Sequence, residues 1–163
     1  MTFYDQVFYA LHIPLIPAWT LLFFAPHAQI TRKLVHSALV PLILGAAYFA
    51  LLMSGTIYGQ SAENAGMTSL GGVMALFSHP VGTLTGWTHF LIFDLFIGAW
   101  IVRDAKTIGI SHRTTLPALF LTLVFGPTGL MVYLLERILI GKKVIISIFR
   151  LSRCHMSSSQ RYI

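Results

Sequence analysis

The chain has 163 residues, enough for one domain, and is 56% hydrophobic but only 10% charged, against about 25% charged in soluble domains. So few charges exclude a soluble helical fold, which needs a charged face on nearly every helix. The net charge of +6 does not mark a nucleic-acid binder, because the bases flank apolar runs, as Arg32-Lys33, Arg103 with Lys106, and Arg137 with Lys142-Lys143. Bases so placed anchor membrane proteins to lipid phosphates.

A membrane helix needs about 20 mostly apolar residues. In chain order, four runs meet this: Val7 to Ala25, Leu34 to Met53, Val81 to Val102, and Leu116 to Leu135. The first, second and fourth contain no Asp, Glu, Lys or Arg. The expected fold is therefore all-α, an integral membrane bundle of about four transmembrane helices within residues 1–143. Residues 144–163 read as a separate basic tail. Pro26 to Lys33 makes a short turn between the first two runs, and Arg103 to Thr115 makes a basic one between the last two. Between the second and third, Gly55 to Gly66 reads as a polar loop. Met67 to Ser78 is apolar but too short to cross, as expected of an interfacial or re-entrant helix.

With four spans the first and third connections share a side and carry five bases, while the middle loop carries none. That favours the basic side as cytoplasmic-like. Four spans also put the C-terminal segment opposite, although it carries six bases, so the two counts conflict. Cys154 is the sole cysteine, which excludes an intrachain disulfide and a Cys-based metal site. The first run has no basic segment before it and no cleavage site after it, so neither a signal peptide nor a transit peptide is read.

Asp94, in the middle of the third run, carries the most chemical information. A carboxylate at membrane depth costs at least ~2.5–3.5 kcal/mol and is a functional hypothesis by default. The plain alternative is a hydrogen bond that holds helices together. His89 lies five residues earlier, about 140° around the helix. Trp87, Phe90 and Asp94 share a face, and aromatic walls beside an acid suit a long apolar ligand, though such residues also simply pack. If the bundle holds a polyene, that face should line its cavity, with Asp94 inside the bundle. His12, His36, Ser37 and Tyr48 bring polar groups from the first two runs, and Pro14, Pro17 and Pro41 can kink them. His12, His36, His89 and Asp94 are suitable metal-ligand types, but no H-x-x-x-H or E-x-x-H pair occurs, and no metal is expected. Gly126-Pro127-Thr128-Gly129 breaks the fourth run, as a kink or a close-packing spot. The absence of G-x-G-x-x-G, Walker and nucleophile-elbow patterns argues against a nucleotide cofactor and serine hydrolase chemistry.

Several motifs together resemble one family. They are Pro17-Ala18-Trp19, Ala25-Pro26, Thr31, Ser37, Pro41, Leu76-Phe77-Ser78, the stretch Trp87 to Phe96 with its W-x-H-x-x-x-x-D core, Asp104, and Gly126 to Gly129. Over about residues 5 to 140 the chain is similar to the abscisic-acid-deficient type of membrane protein, found in plastids and bacteria. Plant members are required for making neoxanthin from violaxanthin. The resemblance implies a xanthophyll-related role, with Trp19 joining Trp87, Phe90, His36 and Tyr48 as substrate-binding candidates. Opening an epoxide to an allenic alcohol is an isomerisation, so no redox cofactor is implied. It needs an acid on the epoxide oxygen and a base on the neighbouring carbon, roles for which Asp94 and His89 are suited.

Two functions of different class follow. One is a carotenoid isomerase centred on Asp94 and His89. The other is a non-catalytic protein that binds a carotenoid or assembles with other carotenoid-pathway membrane proteins. A proton-linked channel is a third reading, thinly supported by one intramembrane acid. The expected partners are the lipid bilayer and a carotenoid ligand, with no nucleic acid. A bacterial inner membrane is the expected location and a plastid membrane the alternative.

Overall fold

A computed structural model describes residues 1–37 and 39–140. The tail expected at 144–163 lies outside the described residues. Among those described, every regular element is an α-helix: α1 (Phe3–His12), α2 (Leu15–Phe24), α3 (Gln29–Leu34), α4 (Leu39–Ile57), α5 (Leu70–Ser78), α6 (Pro80–Ile108), α7 (His112–Phe125) and α8 (Pro127–Leu139). Three stretches are long and apolar enough to cross a membrane: Phe3–Phe24, Gln29–Ile57 and Pro80–Ile108. They match the first three predicted runs, and the protein is an integral membrane protein.

Local chemistry sets the boundaries. Thr2 and Asp5 cap α1 reciprocally, each side chain accepting from the other's backbone amide. The first stretch is interrupted between α1 and α2, where Pro14 supplies no amide hydrogen. Pro80 occupies the first turn of α6, where its missing donor costs nothing, and Gly109 ends the helix in the left-handed conformation at φ 80°.

The fourth predicted run does not form one helix. It forms α7 of 14 residues and α8 of 13, each too short to cross a bilayer. They fold back on each other at Gly126, whose φ is +40°, and Pro127 then starts α8. The return brings Gly129 onto α7, where an added Cβ would lie 2.1 Å from the Thr122 nitrogen and 2.5 Å from the Ala118 carbonyl oxygen. Only a residue without a Cβ permits that approach. Among the described residues the bundle therefore has three long stretches and a helical hairpin, and a fourth span is not confirmed.

α6 is the central post. Trp19 and Leu22 of α2 lie against Gly98, and the buried core continues through Leu44, Leu95, Ala99, Ile101, Ala118, Leu119 and Tyr133. The hairpin runs beside the C-terminal half of α6. Its tip, Gly126, meets Asp94, the middle residue of the 29 in α6. Its far end meets Asp104 through Tyr133 and Arg137.

That arrangement gathers the described bases at one end of the bundle. α8 ends at the same face as the C-terminus of α6, where His36 also meets Arg103 and His112 meets the end of α2. Arg32, Lys33, Arg103, Lys106, Arg113 and Arg137, all the Lys and Arg among the described residues, lie at that face. Because α7 and α8 fold back on each other, the Arg137 end of α8 lies beside the Arg103 end of α6, and bases clustered at one end are the usual asymmetry of a membrane bundle.

Candidate functional site

At the opposite face, α6 carries two glycines that seat α5. A Cβ on Gly82 would lie 1.9 Å from the Leu76 carbonyl oxygen, and one on Gly86 would lie 2.2 Å from Cε1 of Phe77. With α5 held that close, it and the preceding loop roof a cavity of about 590 Å³ between α4 and α6. Its walls are mostly apolar and include Tyr48, Leu52, Phe77, His89 and Phe90. A concave apolar slot with few polar groups is the usual form of a small-molecule site.

Two of the hydroxyls on these walls are committed to the backbone. The Thr56 hydroxyl donates to the Leu52 carbonyl at 2.8 Å and that of Thr85 to the Val81 carbonyl at 2.7 Å. His89 is different. Its ring packs 6.2 Å from Tyr48 and 4.6 Å from Phe93 by centroids, yet neither ring nitrogen has a hydrogen-bond partner among the described residues. The imidazoles of His12, His36 and His112 are engaged. His12 donates from Nδ1 to the Phe8 carbonyl at 2.7 Å and accepts the Trp87 indole N–H at 3.4 Å. His36 donates from Nε2 to the Pro26 carbonyl at 3.0 Å and accepts from Arg103 Nη1 at 3.5 Å. His112 donates to the Phe23 carbonyl at 2.9 Å.

The structure thus separates the sequence candidates into groups. Tyr48, His89 and Phe90 come together on the cavity wall. Trp87, although on one face with Phe90 and Asp94, points to α1, where Phe8 stacks at 6.1 Å and His12 takes its N–H. Trp19 is buried in the core against Gly98. His36 sits at the basic face, tying the chain after α2 to α6. Asp94 is half-buried beside the hairpin tip and makes no hydrogen bond among the described residues. The face of Trp87, Phe90 and Asp94 therefore does not line one cavity: three different neighbours cover it.

One buried polar cluster is not evident from the sequence. Asp104 Oδ2 accepts from the Tyr133 hydroxyl and from Arg137 Nε, both at 2.7 Å. The pair side chains are 3% and 10% exposed, so a charge here is tolerable only because both partners are present. Arg137 reads from sequence as an interface anchor, but its guanidinium is turned inward. Nearby at the basic face, partial burial first, then Lys106, His112 and His36, hold the His27 imidazole below its ordinary range. Among the described residues no group of three or more His, Cys, Asp or Glu is placed to hold a metal.

A family model described as ABA4-like, ABA DEFICIENT 4-like, matches residues 6–133. That range contains the cavity, Asp94, Asp104 and the hairpin tip. Protein ABA DEFICIENT 4, chloroplastic, of Arabidopsis thaliana is 27% identical over 132 residues, covering 78% of this chain and 59% of that protein. The chain thus spans about three fifths of the length of the relative it matches. No solved structure matches it.

Proposed function

We propose a function from one premise: this chain belongs to the ABA4-like family. It acts in xanthophyll metabolism, and its ligand is a carotenoid carrying an oxygenated end ring. The observation that carries this is His89, a histidine with both nitrogens uncommitted on the wall of an apolar cavity. A carotenoid end group is apolar enough to leave the bilayer for such a slot, and it can enter sideways between helices.

The reaction is an epoxide-to-allene isomerisation of the violaxanthin-to-neoxanthin type. A proton reaches the epoxide oxygen, and the carbon–oxygen bond on the polyene side breaks. A proton leaves the adjacent chain carbon, and the electron pair of that C–H bond forms the allene. The oxygen stays on the ring as a hydroxyl, so product and substrate are isomers and no redox partner takes part. His89 is the group that faces the ligand and moves these protons. Asp94 lies five residues further along α6 and is not on the cavity wall, and in this reading it supports the imidazole rather than touching the ligand.

The location follows the same premise. The chloroplastic relative favours a plastid membrane, and it lends nothing to the bacterial inner membrane. The test is expression of the chain in a host that accumulates violaxanthin. Appearance of neoxanthin, lost when His89 is replaced, supports the isomerase. Pigment that copurifies unchanged with the protein supports binding without turnover.

A further inference from the structure

The cavity has a second polar end. α4 stops at Ile57, and the chain turns through Gly59 at φ +66°. Gln60 then folds back on α4: its backbone nitrogen donates to the Ser54 carbonyl at 3.3 Å, and the Ser54 hydroxyl donates to its side-chain Oε1 at 2.9 Å. The backbone bond fixes the position of Gln60, and the Ser54 hydroxyl holds its carboxamide oxygen. Its Nε2 has no partner among the described residues, and Gln60 with the adjacent Ser61 lines the cavity. Thr56 and Thr85 are spent on backbone carbonyls, so the polar groups left at the outer end are this amide and the Ser61 hydroxyl, and of the two only the amide is held by a neighbour, Ser54.

We propose that Gln60 recognises a hydroxyl on the end ring of the carotenoid, so that the cavity selects oxygenated ligands over hydrocarbon ones. The inference rests on the carotenoid reading above and adds the group that sets specificity. A hydroxyl both donates and accepts, so it matches either atom of a carboxamide. The spacing also fits. A Cβ on Gly55 would lie 3.7 Å from both the Gln60 backbone oxygen and Val81 Cγ1, so Gln60 is level with Val81. His89 is eight residues further along α6, about 12 Å by helical rise. Helical side chains lean toward the helix N-terminus, which turns the imidazole toward Gln60. The remaining gap suits a single substituted ring. A ring held by its hydroxyl at Gln60 presents its chain-bearing side to His89.

The test uses the full chain in mild detergent, titrated with zeaxanthin, which has a hydroxyl on each end ring, and with β-carotene, which has none. Binding is read from the shift of the pigment absorption. The native chain should prefer zeaxanthin by about five- to tenfold, the effect of one net hydrogen bond. Gln60→Leu should lower zeaxanthin affinity to that of β-carotene and leave β-carotene unchanged. Equal affinity of the native chain for both pigments overturns the assignment, as does a preference that persists in Gln60→Leu. Should that variant not fold, Ser54→Ala, which frees the carboxamide to rotate, must reduce the preference severalfold, and an undiminished preference overturns it. Binding of neither pigment by the native chain overturns the carotenoid reading and the Gln60 assignment with it, an outcome distinct from binding without preference.

Discussion

Gly126 lies against Asp94 at mid-height of α6: a Cβ at position 126 would stand 2.5 Å from Asp94 Oδ1. The same residue adopts φ +40°, which side chains disfavour at about 1–3 kcal/mol. Gly126→Ala should therefore lower stability by at least that amount, because backbone strain and the carboxylate clash add. Asp94→Ala in the same chain removes the clash but not the strain. Thermal unfolding in detergent should show the double variant recovering part of the loss. Full recovery would mean that the turn is not strained.

The hairpin predicts a specific topology. Single cysteines placed at Ala28, Gly109 and Ile140, in a chain whose Cys154 is replaced, should react with a membrane-impermeant reagent from one side. A cysteine at Gly59 or Glu63 should react from the other. A fourth full crossing would move Ile140 to the side of Glu63, so one labelling experiment decides between the arrangements.

The buried pair of Asp104 and Arg137 predicts a non-additive result. Arg137→Met leaves a carboxylate buried without its cation, which costs about 3–5 kcal/mol. Asp104→Asn with Arg137→Met should be markedly less damaging than Arg137→Met alone, since no charge is then stranded. Tyr133→Phe removes one hydrogen bond to the carboxylate, a loss of about 1.5–3 kcal/mol for a bond to a charged group. A double variant as unstable as the sum of its parts would exclude coupling between the two.

The three long helices are legible in the sequence because crossing a bilayer demands length and apolarity, and both are countable. The fourth run satisfies the same count, yet it folds back. Its only local signal is Gly126-Pro127, and what decides the outcome is tertiary: Gly129 admits α7 and Tyr133 reaches Asp104. Periodicity correctly groups Trp87, Phe90 and Asp94 on a face. It cannot say that α1 covers the first, the cavity the second and the hairpin tip the third. His89 and Tyr48 meet across 41 positions of sequence, which no spacing rule reaches, and Arg137 reads as a surface base until its partner is placed.

Gly86 offers a test of the cavity itself. The Phe77 ring occupies the space a Cβ would need, at 2.2 Å. Gly86→Val should push Phe77 and α5 away from α6 and open the roof. Stability should fall by about 1–3 kcal/mol, as for other over-packed contacts. Pigment retention should fall more than stability accounts for, measured as bound carotenoid per folded protein. Unchanged retention would place the ligand elsewhere.

His89 and His12 make the sharpest comparison, because both are imidazoles at membrane depth and only one is committed. His12 has a carbonyl on one nitrogen and the Trp87 N–H on the other, so it joins α1 to α6. His89 has neither, and it faces the cavity. His12→Ala should cost about 1–2 kcal/mol of stability from the lost bonds, while protein that does fold should convert violaxanthin at the native rate. His89→Gln breaks no hydrogen bond and keeps a polar group of similar reach, so stability should change by no more than about 0.5 kcal/mol. Its conversion should fall by about 10²–10⁴-fold, the usual contribution of a positioned acid or base. Pigment should still copurify with it, since the apolar walls are intact. The two readouts, melting and conversion, must therefore move in opposite patterns for the two variants. If His12→Ala abolishes conversion in folded protein while His89→Gln turns over normally, the chemistry belongs to the Trp87 side of α6 and not to the cavity.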